Sequence, residues 1–130
     1  MSKEIISVSR IPILVTLNNE VKIEGELIRH LSPLTIKKII NILPINQLIN
    51  NYQNKVIQIK VNLDIGVEKP KYRFKEGDIA FAPIANSIYI FLADYNNNQP
   101  LSHVGFIKID TLDELAKTKA GDVLSIQRIL

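Results

Sequence analysis

The sequence predicts a mainly β domain of about eight strands with two short helices, a barrel or a sandwich. Three observations carry this. Apolar residues recur at every second position through most of the chain, helical periodicity replaces that pattern in only two places, and the long strand-helix alternation of a doubly wound sheet does not occur. A chain of 130 residues buries roughly two-thirds of the surface its unfolded form exposes, so one core suffices. No repeat, low-complexity tract or linker interrupts residues 1–130, which read as a single domain.

Ile11, Ile13, Val15 and Leu17 alternate up to the turn residues Asn18-Asn19-Glu20. Val21, Ile23, Gly25 and Leu27 then continue with Lys22, Glu24 and Glu26 between them, a hairpin whose second strand has one charged face. Ile36, Ile39, Ile40 and Leu43 follow at helical spacing, behind Ser32 as N-cap and Pro33 as first helical residue; Pro44 ends that helix. A short strand over 45–50 and a polar turn at Asn51 to Asn54 lead to the alternating run Ile57, Ile59, Val61 and Leu63. Gly66 to Gly77 reads as a loop. Ile79 to Pro83 and Ile88 to Ala93 are apolar on both parities, as central strands are. Asp94 to Pro100 reads as a surface loop and Val104 to Ile109 as a strand. Thr111 and Glu114 form a capping box for a helix with Leu112, Leu115 and Ala116 inward, closed by Gly121 before a last strand from Asp122 to Ile129.

Composition narrows the functions. Hydrophobic residues make up 46% of the chain and charged residues 22%, a balance that suits a packed core. There is no cysteine, which excludes disulfides, cysteine-ligated zinc and thiol chemistry. The start Met1-Ser2-Lys3-Glu4 lacks the apolar run of a secretory signal, and no stretch reaches the ~20 apolar residues of a membrane span. A cytoplasmic location is expected. The net charge of +3 is a small surplus of interleaved charges, weak support for a nucleic-acid partner. The two histidines are too far apart for metal-ligand spacing, so neither a metal nor another cofactor is expected. No G-x-S-x-G elbow or glycine-rich phosphate loop occurs.

Several motifs resemble one family. Gly25-Glu26-Leu27 followed by Ser32-Pro33-Leu34-Thr35-Ile36 is similar to the early cyclophilin segment with its P-x-T-V helix start. His103-Val104-Gly105-Phe106-Ile107-Lys108-Ile109 looks like the cyclophilin H-V-V-F-G-K-V strand. Gly77-Asp78 and the strand ending in Pro83, then Ile88 to Leu92, resemble the smaller prokaryotic cyclophilin-like domains of unassigned function. The resemblance implies a closed cyclophilin-like barrel of about eight strands and two short helices, with a ligand groove. The isomerases' arginine-bearing strand leading to F-M-x-Q-G-G-D, and their later Q-F-F, are missing; the region Pro44 to Leu63 contains no arginine. Prolyl isomerisation is therefore disfavoured, and a degenerate isomerase stays as the enzyme alternative.

The leading expectation is a binding module, without clear catalysis, that takes a small molecule or an extended peptide. Its groove is expected to be lined by Phe81, Pro83, Tyr89, Phe91, His103 and Phe106. The family places His103 at the pocket edge, where it would donate a hydrogen bond. Tyr89 and Phe91 share a parity opposite to Ile88, Ile90 and Leu92, so only one set faces the interior. The alternative site is Lys69-Pro70-Lys71-Tyr72-Arg73-Phe74-Lys75. Its cations Lys69, Lys71, Arg73 and Lys75 occupy odd positions and its aromatics even ones. Basic and aromatic surfaces bind single-stranded nucleic acid, but strict alternation would turn these aromatics away from the cations, against the barrel. Apolar strands with few charges also suit a homo-oligomer surface.

Overall fold

The structure, a computed structural model, describes residues 9–129 without the side chain of Thr111. The expected Thr111 cap therefore lies outside the described residues. Among the described residues ten strands and two α-helices follow one another: β1 (Arg10–Leu17), β2 (Val21–Ile28), α1 (Pro33–Ile42), β3 (Ile45–Leu48), β4 (Asn50–Tyr52) and β5 (Val56–Lys60). Then come β6 (Lys71–Phe74), β7 (Asp78–Ala82), β8 (Ser87–Phe91), β9 (Tyr95–Ile107), α2 (Leu112–Ala116) and β10 (Val123–Arg128). All pairings are antiparallel, and the order across the sheet is β3, β10, β1, β2, β9, β7, β8, β5, β4, with β6 on β9.

The expected barrel of about eight strands needs two corrections. First, β6 falls inside the stretch read as a loop, and β9 begins at Tyr95 within the expected surface loop. β6 is only four residues long and the start of β9 is rich in asparagine, which disfavours strands; pairing between the two supplies the order instead. Second, the sheet is not found closed. No ladder joins β3 to β4 among the described residues. The two are halves of one extended segment that pairs first with β10 and then with β5. Alternation specifies which face a residue takes, but not which strands meet at the ends of a sheet.

The hairpin forms as its pattern requires. Ile11, Ile13, Val15 and Leu17 are buried, and Asn18 and Asn19 turn the chain at φ of 51° and 59°. Asparagine tolerates that left-handed region better than other residues with a side chain. The Asn18 side chain also accepts the Val123 N–H at 2.8 Å, tying the turn to β10. The charged outer face of β2 is paired off, Glu24 with Lys108 and Glu26 with Arg10.

Inside lies a large apolar cluster drawn from both ends of the chain, including Ile36 and Ile39 of α1 and Leu112 and Leu115 of α2. Full burial of each such side chain contributes about 1.5–3 kcal/mol. β7 and β8 are apolar on both faces because a second cluster lies outside them: Phe74, Ala80, Ala82, Phe91 and Leu101 pack beneath β6 and the start of β9.

Two backbone contacts hold these layers in register. Gly25 and Gly105 sit where β2 pairs with β9. A Cβ on Gly105 would lie 2.0 Å from the Glu26 carbonyl oxygen, and one on Gly25 would lie 2.7 Å from that of Phe106. The helix α1 is anchored at long range. Ser32 is its N-cap but makes no capping bond; its buried hydroxyl donates to the His103 carbonyl at 2.8 Å. Glu68 caps the helix instead, accepting the Thr35 N–H at 2.6 Å, the Thr35 hydroxyl at 2.7 Å and the Leu34 N–H at 3.3 Å. The expected local cap is thus replaced by a carboxylate from a distant loop.

Glu68→Ala is expected to cost about 1–2 kcal/mol, because the helix loses its cap and the buried Thr35 hydroxyl its acceptor. Urea unfolding at neutral pH checks it, and an unchanged midpoint would refute the capping role. Gly105→Ala should cost about 3 kcal/mol through overlap with the Glu26 backbone. Gly66→Ala, with nothing within 4 Å of the added carbon, should stay within about 0.5 kcal/mol of the parent.

Candidate functional site

The outer layer creates an open basin that contains titratable groups. β6 meets β9 with Phe74 opposite Tyr95, Arg73 opposite Asn96 and Lys71 opposite Leu101, and the register slips between Lys71 and Arg73. That slip breaks the expected alternation of cations and aromatics. Lys71 returns to the same side as Phe74, its Nζ 5.4 Å from the ring centroid, while Tyr72 is left 51% exposed. A cation over an aromatic face is attracted by the ring quadrupole.

A second irregularity places the histidine. Ile79 pairs with Gly105 and Ala80 with His103, so Val104 is an extra residue on β9. Val104 enters the main core and His103 remains on the outer face, edge-on to Phe74 at 5.8 Å. The His103 Nε2 lies 3.0 Å from the Gly105 carbonyl oxygen and 3.3 Å from Asp78 Oδ1. Both neighbours are acceptors, so Nε2 carries the proton and Nδ1 is the ring nitrogen without a protein partner among the described residues. Asp78 is held in turn by the Lys75 N–H at 2.9 Å. Burial pushes the Asp78 carboxyl up, but the hydrogen bonds from His103 and Lys75 and the charges of His103 and Lys71 outweigh it, leaving its pKa below the usual value.

The resulting basin has a volume of about 780 Å³. Phe74 forms its base, stacked on Phe91 at 4.6 Å, with Tyr95 and His103 as walls. Lys71, Arg73 and Lys75 stand at its rim, all exposed and without a carboxylate at ion-pair distance among the described residues. Asp94 also borders it, while the Asp78 charge is committed to His103. An anion entering here meets three cations, donors and an aromatic base in one concave place.

The basin unites parts of both expected sites. His103 joins Lys71, Arg73 and Lys75, whereas Lys69 stands apart, its ammonium donating to the His30 carbonyl. The expected groove residues are dispersed. Phe81 is fully buried in the main core, and Phe91 is fully buried beneath Phe74 and Tyr95. Pro83 belongs to the turn between β7 and β8, where its carbonyl accepts the Asn86 N–H. Phe106 is 38% exposed in a separate shallow cleft beside Pro12 and Ile129, and Tyr89 is half-buried in a neighbouring hollow. Four residues of the basin had no functional reading in the sequence: Asp78, Asp94, Tyr95 and Asn96. Only Asp78 carried a signal, in the family-like Gly77-Asp78 pair.

No group of three or more potential metal ligands occurs among the described residues. No helix there is long and apolar enough to cross a membrane.

These features define a mainly antiparallel β domain with a cation-rimmed aromatic basin on its outer face. The chain belongs to the cyclophilin-like family, which it matches over residues 9–127. It is similar in fold to the hypothetical protein AF2241 from Archaeoglobus fulgidus, with a TM-score of 0.75 and 17% identity over 93% of this chain and 96% of that one. It is also similar to McbB, whose structure holds tryptophan, with a TM-score of 0.77 and 12% identity over 89% of this chain. The likeness spans 44% of the McbB chain. Comparison with curated proteins finds no match.

Because the folded pKa of Asp78 lies below its ordinary value of 3.8, the charged form stabilises the fold above that pH. This stabilisation fades as the pH falls through the folded pKa. Wild type should therefore lose more stability than Asp78→Asn between neutral pH and about pH 3. Urea unfolding at both pH values measures this, and parallel losses in the two proteins would contradict it.

Proposed function

We propose that the chain is a binding domain, without clear catalysis, for a small anionic molecule or an extended acidic peptide held between Lys71, Arg73, Lys75 and the Tyr95, His103 wall. The observation that carries this is the register slip in β6, which gathers cations and an aromatic ring on one side of a concave surface. Each exposed cation is individually weak, but several converging on one carboxylate act together. Support comes also from McbB, which takes tryptophan, a molecule combining an aromatic ring with a carboxylate. A ligand of that chemistry would set its carboxylate at the rim and its ring against Tyr95.

Titrating isotope-labelled protein with L-tryptophan, indole-3-acetate and indole tests the reading. The two carboxylates should shift resonances of Phe74, Tyr95 and His103, and indole should bind about tenfold more weakly. Replacing Lys71, Arg73 and Lys75 together by alanine should weaken the carboxylates by at least about tenfold. Shifts confined to another face, or an equal response to indole, would sink it.

A second reading rests on Tyr72, exposed beside Arg73 and suited to stacking on a base. It requires salt-sensitive binding of an oligothymidylate that weakens when Lys69, Lys71, Arg73 and Lys75 are neutralised. Absence of binding at low salt would remove it.

A further inference from the structure

Beyond Tyr95 lies a second hollow of different chemistry. Its volume is about 340 Å³, and no charged side chain lines it. Three of the chain's four tyrosines, Tyr52, Tyr89 and Tyr95, converge there. Strand register explains why. Tyr52 pairs with Val56, Val56 with Phe91, and Gln58 with Tyr89, so all five side chains stand on the outer face of β4, β5 and β8. Tyr95 reaches the same face from the start of β9. The buried Phe91 positions two of the rings, lying 6.2 Å from Tyr89 and 5.8 Å from Tyr95.

Most polar groups of this hollow are uncommitted, although the Asn97 amide donates to the Gln99 carbonyl at 2.8 Å. None of the three tyrosine hydroxyls has a protein hydrogen bond among the described residues, nor do the side-chain amides of Asn96 and Asn98. Gln58 accepts from Asn50 at 2.7 Å through Oε1, which leaves its own NH₂ to donate. Burial and the neighbouring Tyr95 push the Tyr89 phenol up, so it keeps its proton and remains a donor at neutral pH.

Phenols and amides both donate and accept, and the tyrosine rings add apolar faces. A charged ligand would find no countercharge here. A wholly apolar one would strand the polar groups it covered, at a cost comparable to a lost hydrogen bond for each. A ring that carries hydroxyls around its edge and C–H bonds on its face satisfies both demands, because the C–H face packs on tyrosine while the hydroxyls reach the amides. We propose that the hollow of Tyr52, Tyr89 and Tyr95 with Gln58, Asn96 and Asn98 is a saccharide-binding site for a neutral sugar ring. It is distinct from the cationic basin, with which it shares Tyr95 and Asn96.

The test titrates labelled protein with chitotetraose, cellotetraose, maltotetraose and mannotetraose. At least one should bind with a Kd of about 1 mM or tighter and shift the ring resonances of Tyr52, Tyr89 and Tyr95. Tyr52→Ala removes a side chain already 43% exposed, so the fold should persist, as circular dichroism will verify, while affinity falls at least about tenfold. Asn98→Ala, also at the surface, should weaken binding in the same direction. Lys71→Ala, by contrast, should leave the saccharide Kd within about twofold while weakening tryptophan, so the two sites fail or succeed separately. No shift of the tyrosine rings with any of the four sugars would overturn the proposal. So would binding that survives both Tyr52→Ala and Asn98→Ala.

Discussion

The close crossing of β2 and β9 governs the remainder of the architecture. At Gly25 and Gly105 two backbones approach so nearly that neither position accommodates a Cβ. This contact seats β9, the longest strand at 13 residues, against the hairpin on one side and β7 on the other. Immediately before it, the extra residue Val104 is drawn into the core and His103 is left outside. The same strand then runs outward to pair with β6. One constraint on main-chain distance therefore determines which side of the sheet carries the histidine and where the outer layer begins.

That outer layer is built to be covered only in part. Ala80 and Ala82 are small, so Phe74 and Phe91 can stack over β7 and β8 and bury a second apolar cluster. Where the cover stops, polar and aromatic side chains meet solvent in two adjoining hollows. One collects cations and the Asp78–His103 pair; the other collects tyrosines and amides with no charge. Tyr95 stands between them. With Asn96 it lines both, and the chemistry changes across this pair because β6 brings its charges only as far as Asn96.

Alternating apolar residues made much of the inner fold legible. The hairpin, the buried faces of α1 and α2, and the doubly apolar central strands all follow from period and parity, which depend only on near neighbours in the chain. Legibility failed where partners are distant. Ser32 looks like a cap, yet its hydroxyl is taken by the His103 carbonyl and the capping passes to Glu68. Asp94 to Pro100 looks like a loop because asparagine disfavours strands, yet β6 gives it a hydrogen-bonding partner. For the binding surface, His103 and the Lys71 to Lys75 cations stood out as residue types. Their meeting in one basin depends on two register slips that no alternation pattern records.

The amino-acid sequence by itself determined the mainly β class, the cyclophilin-like kinship and the residues able to fill a core, since these rest on local periodicity and motif order. Tertiary structure alone decided that Phe81 and Phe91 are interior and that the sheet ends as two halves of one segment. It also decided that cations face aromatics across β6. The physical reason is that a single residue gained or lost in strand register reverses every side chain beyond it, and register is settled by the partner strand.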